Sequence, residues 1–259
     1  MVMERIITAA VGVLVLLGQG GCAGEPERGG VKMLEKAREL LAASPADSDA
    51  VVILAPAIKE AEAVGAAEQE KLLKAAVKQA EEAREFKISA EAPLPDGWPL
   101  PSLPGLIRIK TYPAARLAWV REAGSENRQF MALFQHIKKQ QIAMTAPVVM
   151  EHDSAGPAEA ESGQAAMAFL YRRTDQGEAG RFGPVAVENG AAVQVVSVGL
   201  KGPYWESRFQ AKLKELREWL AAHPQWRATG GWRVLAYNSP FKPFWMKYCE
   251  VQLEVRASE

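Results

Sequence analysis

Between residues 105 and 256 one order of elements is written twice, and that repetition restricts the folds open to the chain more than any other feature. Leu106–Ile109 and Ala115–Arg121 are short apolar-alternating runs divided by Tyr112-Pro113. A helix is predicted over Glu126–Lys139, with Phe130, Met131, Phe134 and Ile137 on one face, and strand-like runs follow at Ile142–Met150 and Met167–Arg172. The order then returns as Val185–Val187, Val193–Val198, an amphipathic helix over Tyr204–Ala222, and strands at Trp232–Tyr237 and Tyr248–Val255. Ile109 and Val187 hold equivalent places, as do the turns Thr145-Ala146-Pro147 and Asn238-Ser239-Pro240. A period of about 80 residues is far too long for a solenoid. Two such units bury their apolar sheet faces on each other or on their helices. The expected fold is therefore α+β, a pseudo-twofold repeat giving a distorted eight-stranded, mostly antiparallel, barrel-like sheet with two helices, preceded by a helical N-terminal region.

The segments ahead of the repeat differ from it and from one another. Ile6–Leu17 is almost unbrokenly apolar, with Arg5 before it and Gly18, Gln19, Gly20, Gly21 and Cys22 after it. That length suits the apolar stretch of a signal peptide over residues 1–22 and is too short to span a bilayer. Small residues before a cysteine resemble the lipobox of bacterial lipoproteins, which implies lipidation of Cys22 and a membrane anchor in the cell envelope. Gln19 and Glu4 depart from that pattern, and an ordinary secretory signal or a retained anchor is the plainer reading. Residues 23–91 read as a small, Gly-rich tether (23–30) followed by two or three helices. Leu34, Ala37, Leu40 and Leu41 recur at helical spacing, Ser48 or Asp49 offers an N-cap, and Leu72, Leu73, Ala76, Val77, Ala80 and Ala83 draw a narrow stripe. A stripe made mostly of alanine buries little area, so these helices need a partner surface, either the main domain or another protein. Five prolines (93, 95, 99, 101 and 104) make residues 92–104 a semi-rigid connector, with Trp98 placed to pin it to the domain over 105–259.

Composition removes several function classes. Basic and acidic residues balance at 31 each, which gives no electrostatic footprint for nucleic acid. The two cysteines, Cys22 and Cys249, cannot build a disulfide scaffold and show no zinc spacing; Cys249 is expected in a buried strand. No Gly-rich phosphate loop, HExxH, nucleophile elbow or paired-cysteine redox motif occurs. The acidic stretch between Glu151 and Gln164 is expected to be a mobile loop.

Three segments carry a family likeness. Ile142-Ala143-Met144-Thr145-Ala146-Pro147-Val148, Tyr112-Pro113-Ala114-Ala115, and Tyr237-Asn238-Ser239-Pro240-Phe241 followed by Glu250-Val251 resemble, in order, the signature segments of the SOUL haem-binding proteins. The likeness covers about residues 105–256 and leaves out the helical region. It implies a distorted eight-stranded barrel with two helices, and binding of haem or a free porphyrin without catalysis. Thr111 stands where some relatives carry a histidine proposed as axial ligand, so ligation there is not available.

Haem, or a porphyrin-like small molecule, is thus the expected ligand, and the axial residue has to come from elsewhere. Of His136, His152 and His223, His136 on the first predicted helix is the candidate ligand, set against the ordinary reading of a helix-surface or capping histidine. Met131, Met144, Met150, Met167 and Met246 carry soft thioethers but sit at core-like positions. Arg208 and Lys212, with Arg233 and Lys247, are candidates for the propionates, and Phe241, Phe244 and Trp245 form an aromatic segment suited to a groove wall, a barrel lid or a membrane surface. Glu250 faces away from Cys249 and Val251 on its strand and is either a cavity carboxylate that meets ligand or a solvated edge residue. The expectation is an envelope-anchored haem carrier or buffer. An interaction lipoprotein using residues 31–88 and a hydrolase of bulky apolar molecules using Glu250 and Tyr237 are the alternatives.

Overall fold

A computed structural model describes residues 25–121, 125–152, 164–239 and 241–258. The apolar run at 6–17, Cys22, the acidic loop at 153–163 and Pro240 lie outside the described residues. Three helices open the structure: α1 (Glu25–Ala42), α2 (Asp49–Ala61) and α3 (Ala66–Glu85). Ala37, Leu54, Leu73 and Ala80 are buried at the centre of a core that also takes in Leu103 and Leu106 from the following segment, so the alanine-rich stripe finds part of its partner surface within the chain. The tether expected over 23–30 is corrected, because α1 begins at Glu25. A Cβ at Gly30 would lie 3.2 Å from the Ala66 carbonyl oxygen, so this glycine serves close helix approach rather than chain freedom. Asp49 does not cap α2; Ser48 holds the N-cap position without a side-chain bond. The Asp49 carboxylate instead accepts the Leu103 N–H at 2.6 Å and pairs with Arg108 at 2.5 Å, while Arg108 also donates to the Asp47 carbonyl.

The rest is a nine-stranded antiparallel sheet with two helices. The strands are β1 (Ile107–Tyr112), β2 (Ala115–Val120), β3 (Val148–His152), β4 (Gln164–Leu170), β5 (Gly180–Phe182), β6 (Val185–Gly190), β7 (Val193–Lys201), β8 (Trp226–Ala236) and β9 (Tyr248–Ala257), with α4 (Glu126–Lys139) and α5 (Glu206–Ala222). Their order is β1-β7-β9-β8-β3-β4-β2-β6-β5. Read outward from the central β3–β8 pair, the two halves match strand for strand: Ile109 of β1 sits opposite Val196 of β7 as Val187 of β6 sits opposite Ala118 of β2. Each half lends its first strand to the other, which welds the repeats into one unit. The ninth strand, absent from the sequence reading, is β5, folded back on β6 through Gly183 at φ +63°. The described sheet does not close into a barrel: its ends are β5 and β1, and the β1 end meets α2 through Asp49 and Arg108.

Alternation sends side chains to two faces. On one face, Val196, Val198, Val234 and Val251 pack under α5, and Ala118, Phe169 and Val187 under α4. On the other, Tyr112, Leu117, Val149, Ala168, Val195 and Leu235 form a second layer. Residues 86–106 cross that layer as a strap, with Phe86, Ile88, Leu94 and Trp98 packed on it and Trp98 edge-on to Tyr112 at 4.7 Å. The two motif turns hold the strap. Ala146 N–H donates to the Pro93 carbonyl, and Asn238 and Ser239 bond Ser89 and Glu91. Gly199 lets the strap approach, since a Cβ there would lie 3.0 Å from the Ser102 carbonyl oxygen. No described helix is long and apolar enough to cross a membrane.

Replacing Asp49 by alanine strands the Leu103 N–H and the half-buried Arg108. Urea denaturation should show a loss of about 2 kcal/mol, whereas alanine at the exposed ion-pair residue Glu62 should cost under about 1 kcal/mol.

Candidate functional site

A groove of about 430 Å³ runs between α4 and the segment 203–205 that leads into α5, over the β3–β8 pair. One wall is α4, where Phe130 and Phe134 stand one turn apart with rings stacked 6.2 Å from each other. Tyr204 and Trp205 at the start of α5, and Phe244 in the short helical turn Phe244–Met246, supply the opposite wall. Met150 and Met167, paired residues on β3 and β4, form the floor with Val148, and Met144 lies beside them. Tyr204 is fixed by donating to the Tyr248 carbonyl at 2.7 Å and accepting the Asn238 N–H at 3.2 Å; burial pushes its phenol pKa up, so it stays protonated. The polar lining includes Glu91, Glu126 and Lys247. Burial, then the Glu206 carboxylate, raises the pKa of Glu126. This volume lies within the range of about 300–1,000 Å³ typical of small-molecule sites, and the walls are apolar and aromatic.

The opposite sheet face holds a different constellation. Glu250 on β9 is fully buried and receives Lys110 Nζ at 2.6 Å, the Ser102 N–H at 2.9 Å, the Tyr112 hydroxyl at 3.0 Å and Gln252 Nε2 at 3.2 Å. Lys110 also donates to the Leu100 carbonyl, and Tyr248 to that of Ser102, so the strap is bonded at two carbonyls and one amide. Burial pushes the Glu250 pKa up, but the Lys110 ammonium and the hydrogen bonds outweigh it and hold the carboxyl below its ordinary value. Tyr112, Tyr237 and Tyr248 are driven well above the usual phenol range by burial and by the Glu250 charge. An ionised carboxylate surrounded by donors of its own chain, and outside the lining of the groove, is built as a lock rather than as a general base.

A model of the family described as SOUL heme-binding protein matches residues 104–254, more than half of the chain and all but the edge of the repeat. The chain belongs to that family. No curated protein matches it. Among solved structures, this SOUL protein is similar to the EcmrR chain of a DNA complex (16% identity, TM-score 0.46), covering 59% of this chain and 58% of that one. It is also similar to the isolated EcmrR C-terminal domain (18% identity, TM-score 0.47, 60% and 99% covered) and to a hydrolase from Listeria innocua (12% identity, TM-score 0.43, 69% and 98% covered).

The residues singled out from the SOUL-like sequence land in separate places. Phe244 lines the groove, and Phe241 and Trp245 project from the same loop. His136 points away from it: its Nε2 is 2.9 Å from the Tyr171 hydroxyl, its ring packs on Phe182, and burial, then Lys139, lowers its pKa. Arg208 is used in bonding the Lys201 and Pro203 carbonyls, and Lys212 pairs with Glu215. Arg233 bonds Gln252 beside the buried lock. His152 stacks on Trp232 and His223 on Trp219, both at 3.8 Å. Thr111 is exposed on β1. Among the described residues no group of three or more His, Cys, Asp or Glu side chains could hold a metal ion.

The helical face expected from Phe130, Met131, Phe134 and Ile137 is also corrected. Gln129, Leu133, His136 and Ile137 turn inward, which leaves Phe130 and Phe134 on the flank. Two aromatics at i and i+4 beside an already sufficient apolar stripe were the available signal for a groove wall. Lys110 was missed because nothing in its local sequence distinguishes a buried lysine, and its partner lies 140 residues away.

Lys110→Met leaves Glu250 buried without its counter-charge and should cost about 3–5 kcal/mol at neutral pH. The sign of the pH effect follows from the carboxyl. In the unchanged protein its depressed pKa adds stability above the ordinary carboxyl range, and this is lost as pH falls through that range. In the variant the counter-charge is gone while the burial stays, so the pKa rises and acidification relieves part of the penalty. Denaturation curves should show the gap between the two proteins narrowing from about pH 8 to about pH 4.

Proposed function

We propose that this SOUL-family protein binds haem or a related tetrapyrrole in the groove between α4 and α5, non-catalytically, as a carrier or buffer held at the cell envelope by its N-terminus. The observation that carries the reading is the groove itself: a site of about 430 Å³, walled on both sides by aromatic rings, in a chain of a haem-binding family. Flat apolar rings suit the faces of a macrocycle. For iron, the lining offers the thioethers of Met144, Met150 and Met167, soft donors of the kind found in cytochromes, while His136, His152 and His223 do not line it. For propionates the lining offers Lys247, with Glu91 and Glu126 disfavouring other orientations. Bound haem would bring an iron centre and its visible absorption; the chain contributes burial and orientation.

The absence of catalysis is favoured by the state of Glu250, which is the carboxylate a hydrolytic reading needs and which is neutralised by Lys110. The apolar run Ile6–Leu17 followed by Gly20-Gly21-Cys22 supports export and anchoring.

In a hemin titration of the full chain we expect saturable binding with a shifted Soret band. Trp205→Ala and Phe130→Ala should each weaken it about tenfold by removing an aromatic face that a bound ligand covers, while His136→Ala should leave the spectrum unchanged. Binding no better than that of an unrelated protein would remove the tetrapyrrole reading. In a bacterial host fed an alkyne-bearing fatty acid, label should enter the unchanged chain and not Cys22→Ser. Equal labelling of both would remove the lipid anchor at Cys22.

A further inference from the structure

The loop that joins β8 to β9 exposes a run of apolar side chains, of which the groove lining takes only Phe244. Phe241 is 93% exposed, Trp245 61%, Phe244 57% and Met246 44%, all within six residues. Across the groove mouth Trp205 is 63% exposed. Lys242 and Lys247 bracket Phe244, Trp245 and Met246, Phe241 stands just before Lys242, and no acidic residue occurs between Asn238 and Cys249. The loop is not slack. Lys242 Nζ donates to the Ser89 carbonyl and hydroxyl, Gly202 N–H donates to the Lys247 carbonyl, and Lys247 lies over the Tyr204 ring at 5.2 Å. The exposed rings are therefore held outward by the fold.

We propose that residues 241–247, with Trp205, form a membrane-interface surface that seats the groove mouth on an anionic bilayer. This rests on the envelope reading above. Three features of the patch choose a bilayer over a protein partner. Its apolar side chains on the loop are two phenylalanines, a tryptophan and a methionine, a mixture that partitions into the headgroup–acyl boundary without needing a shaped pocket. Lys242, bonded to Ser89, and Lys247, over Tyr204, put positive charge beside the apolar surface without an acidic residue on the loop to offset it, which favours anionic headgroups. The same chain carries an apolar run, Ile6–Leu17, of its own that suits the apolar stretch of an export signal or anchor. Phe244, Trp205 and Lys247 belong both to this patch and to the groove lining, so an apolar ligand passes from lipid to groove along one continuous surface.

The test uses the full chain with vesicles of phosphatidylcholine and phosphatidylglycerol whose acyl chains are brominated, comparing it with Trp245→Phe and Phe241→Ser. Flotation reports attachment of the chain, and quenching of tryptophan emission by bromine reports insertion of the loop. We expect all three proteins to float, strong quenching in the unchanged chain, loss of most of it in Trp245→Phe, and partial loss in Phe241→Ser. Quenching should fall when phosphatidylglycerol is left out. Flotation with quenching unaltered by Trp245→Phe would overturn the loop's role and leave the anchor standing. Failure to float would overturn both. A concentration-dependent dimer in sedimentation without lipid, with Trp245 shielded from acrylamide, would assign the patch to a second copy and overturn the proposal.

Discussion

The buried pair of Lys110 and Glu250 fixes more of this molecule than any other contact, because each partner serves two elements. Lys110 is on β1, which the first half lends to the second; Glu250 is on β9, in the second half. Their pairing closes the β1-β7-β9 part of the sheet through side chains as well as backbone. Lys110 then reaches the Leu100 carbonyl, and Glu250 reaches the Ser102 amide, so the same charges tie down the strap. Taking two charges out of water costs several kcal/mol each, and hydrophobic residues of similar volume often do as well for stability. What such residues could not supply is direction: Glu250 and Lys110 hold the strap at the Ser102 amide and the Leu100 carbonyl, whereas Phe86, Ile88, Leu94 and Trp98 make non-directional apolar contacts.

The pseudo-twofold shows where the two halves have diverged. Phe169 pairs with Ala118 as Leu253 pairs with Val196, so Ala166 and Ala168 of β4 stand where β9 carries Glu250 and Gln252. One half of the covered face is thus apolar and closely packed, and the other is a polar lock. The strap lies over both, which leaves this face without a described cavity that Glu250 lines. The groove is on the helix-bearing face, where β3 meets β8 and the first turn of α4 and the segment 203–205 ahead of α5 approach from either side.

Much of this architecture was legible in the sequence, because it depends on local periodicity. The two strand–strand–helix–strand–strand units, the equivalence of Ile109 and Val187, and the alternation that places Glu250 opposite to Cys249 all follow from spacing alone. The short β5 was not legible, since Gly180–Phe182 shows no alternation and exists only as a partner of β6. The site was less accessible for a different reason. Phe130 and Phe134 share their helical face with core residues to within one rotation step, and only packing decides which of them a groove receives. Lys110 carries no local mark of burial, and Arg233 reads as a propionate partner, until residues distant in sequence or on the neighbouring strand are brought to them.

The electrostatics of the groove complete the comparison of the halves. α4 and α5 both begin beside it, and each starts with a glutamate, Glu126 and Glu206, at the positive end of its helix dipole. Burial and the second carboxylate raise the pKa of Glu126. With Lys247 opposite Glu91 and Glu126, the lining carries both signs of charge, and most of its area is apolar wall. Under the proposed reading, that combination suits a flat molecule with a modest charge at one edge better than a strongly charged one.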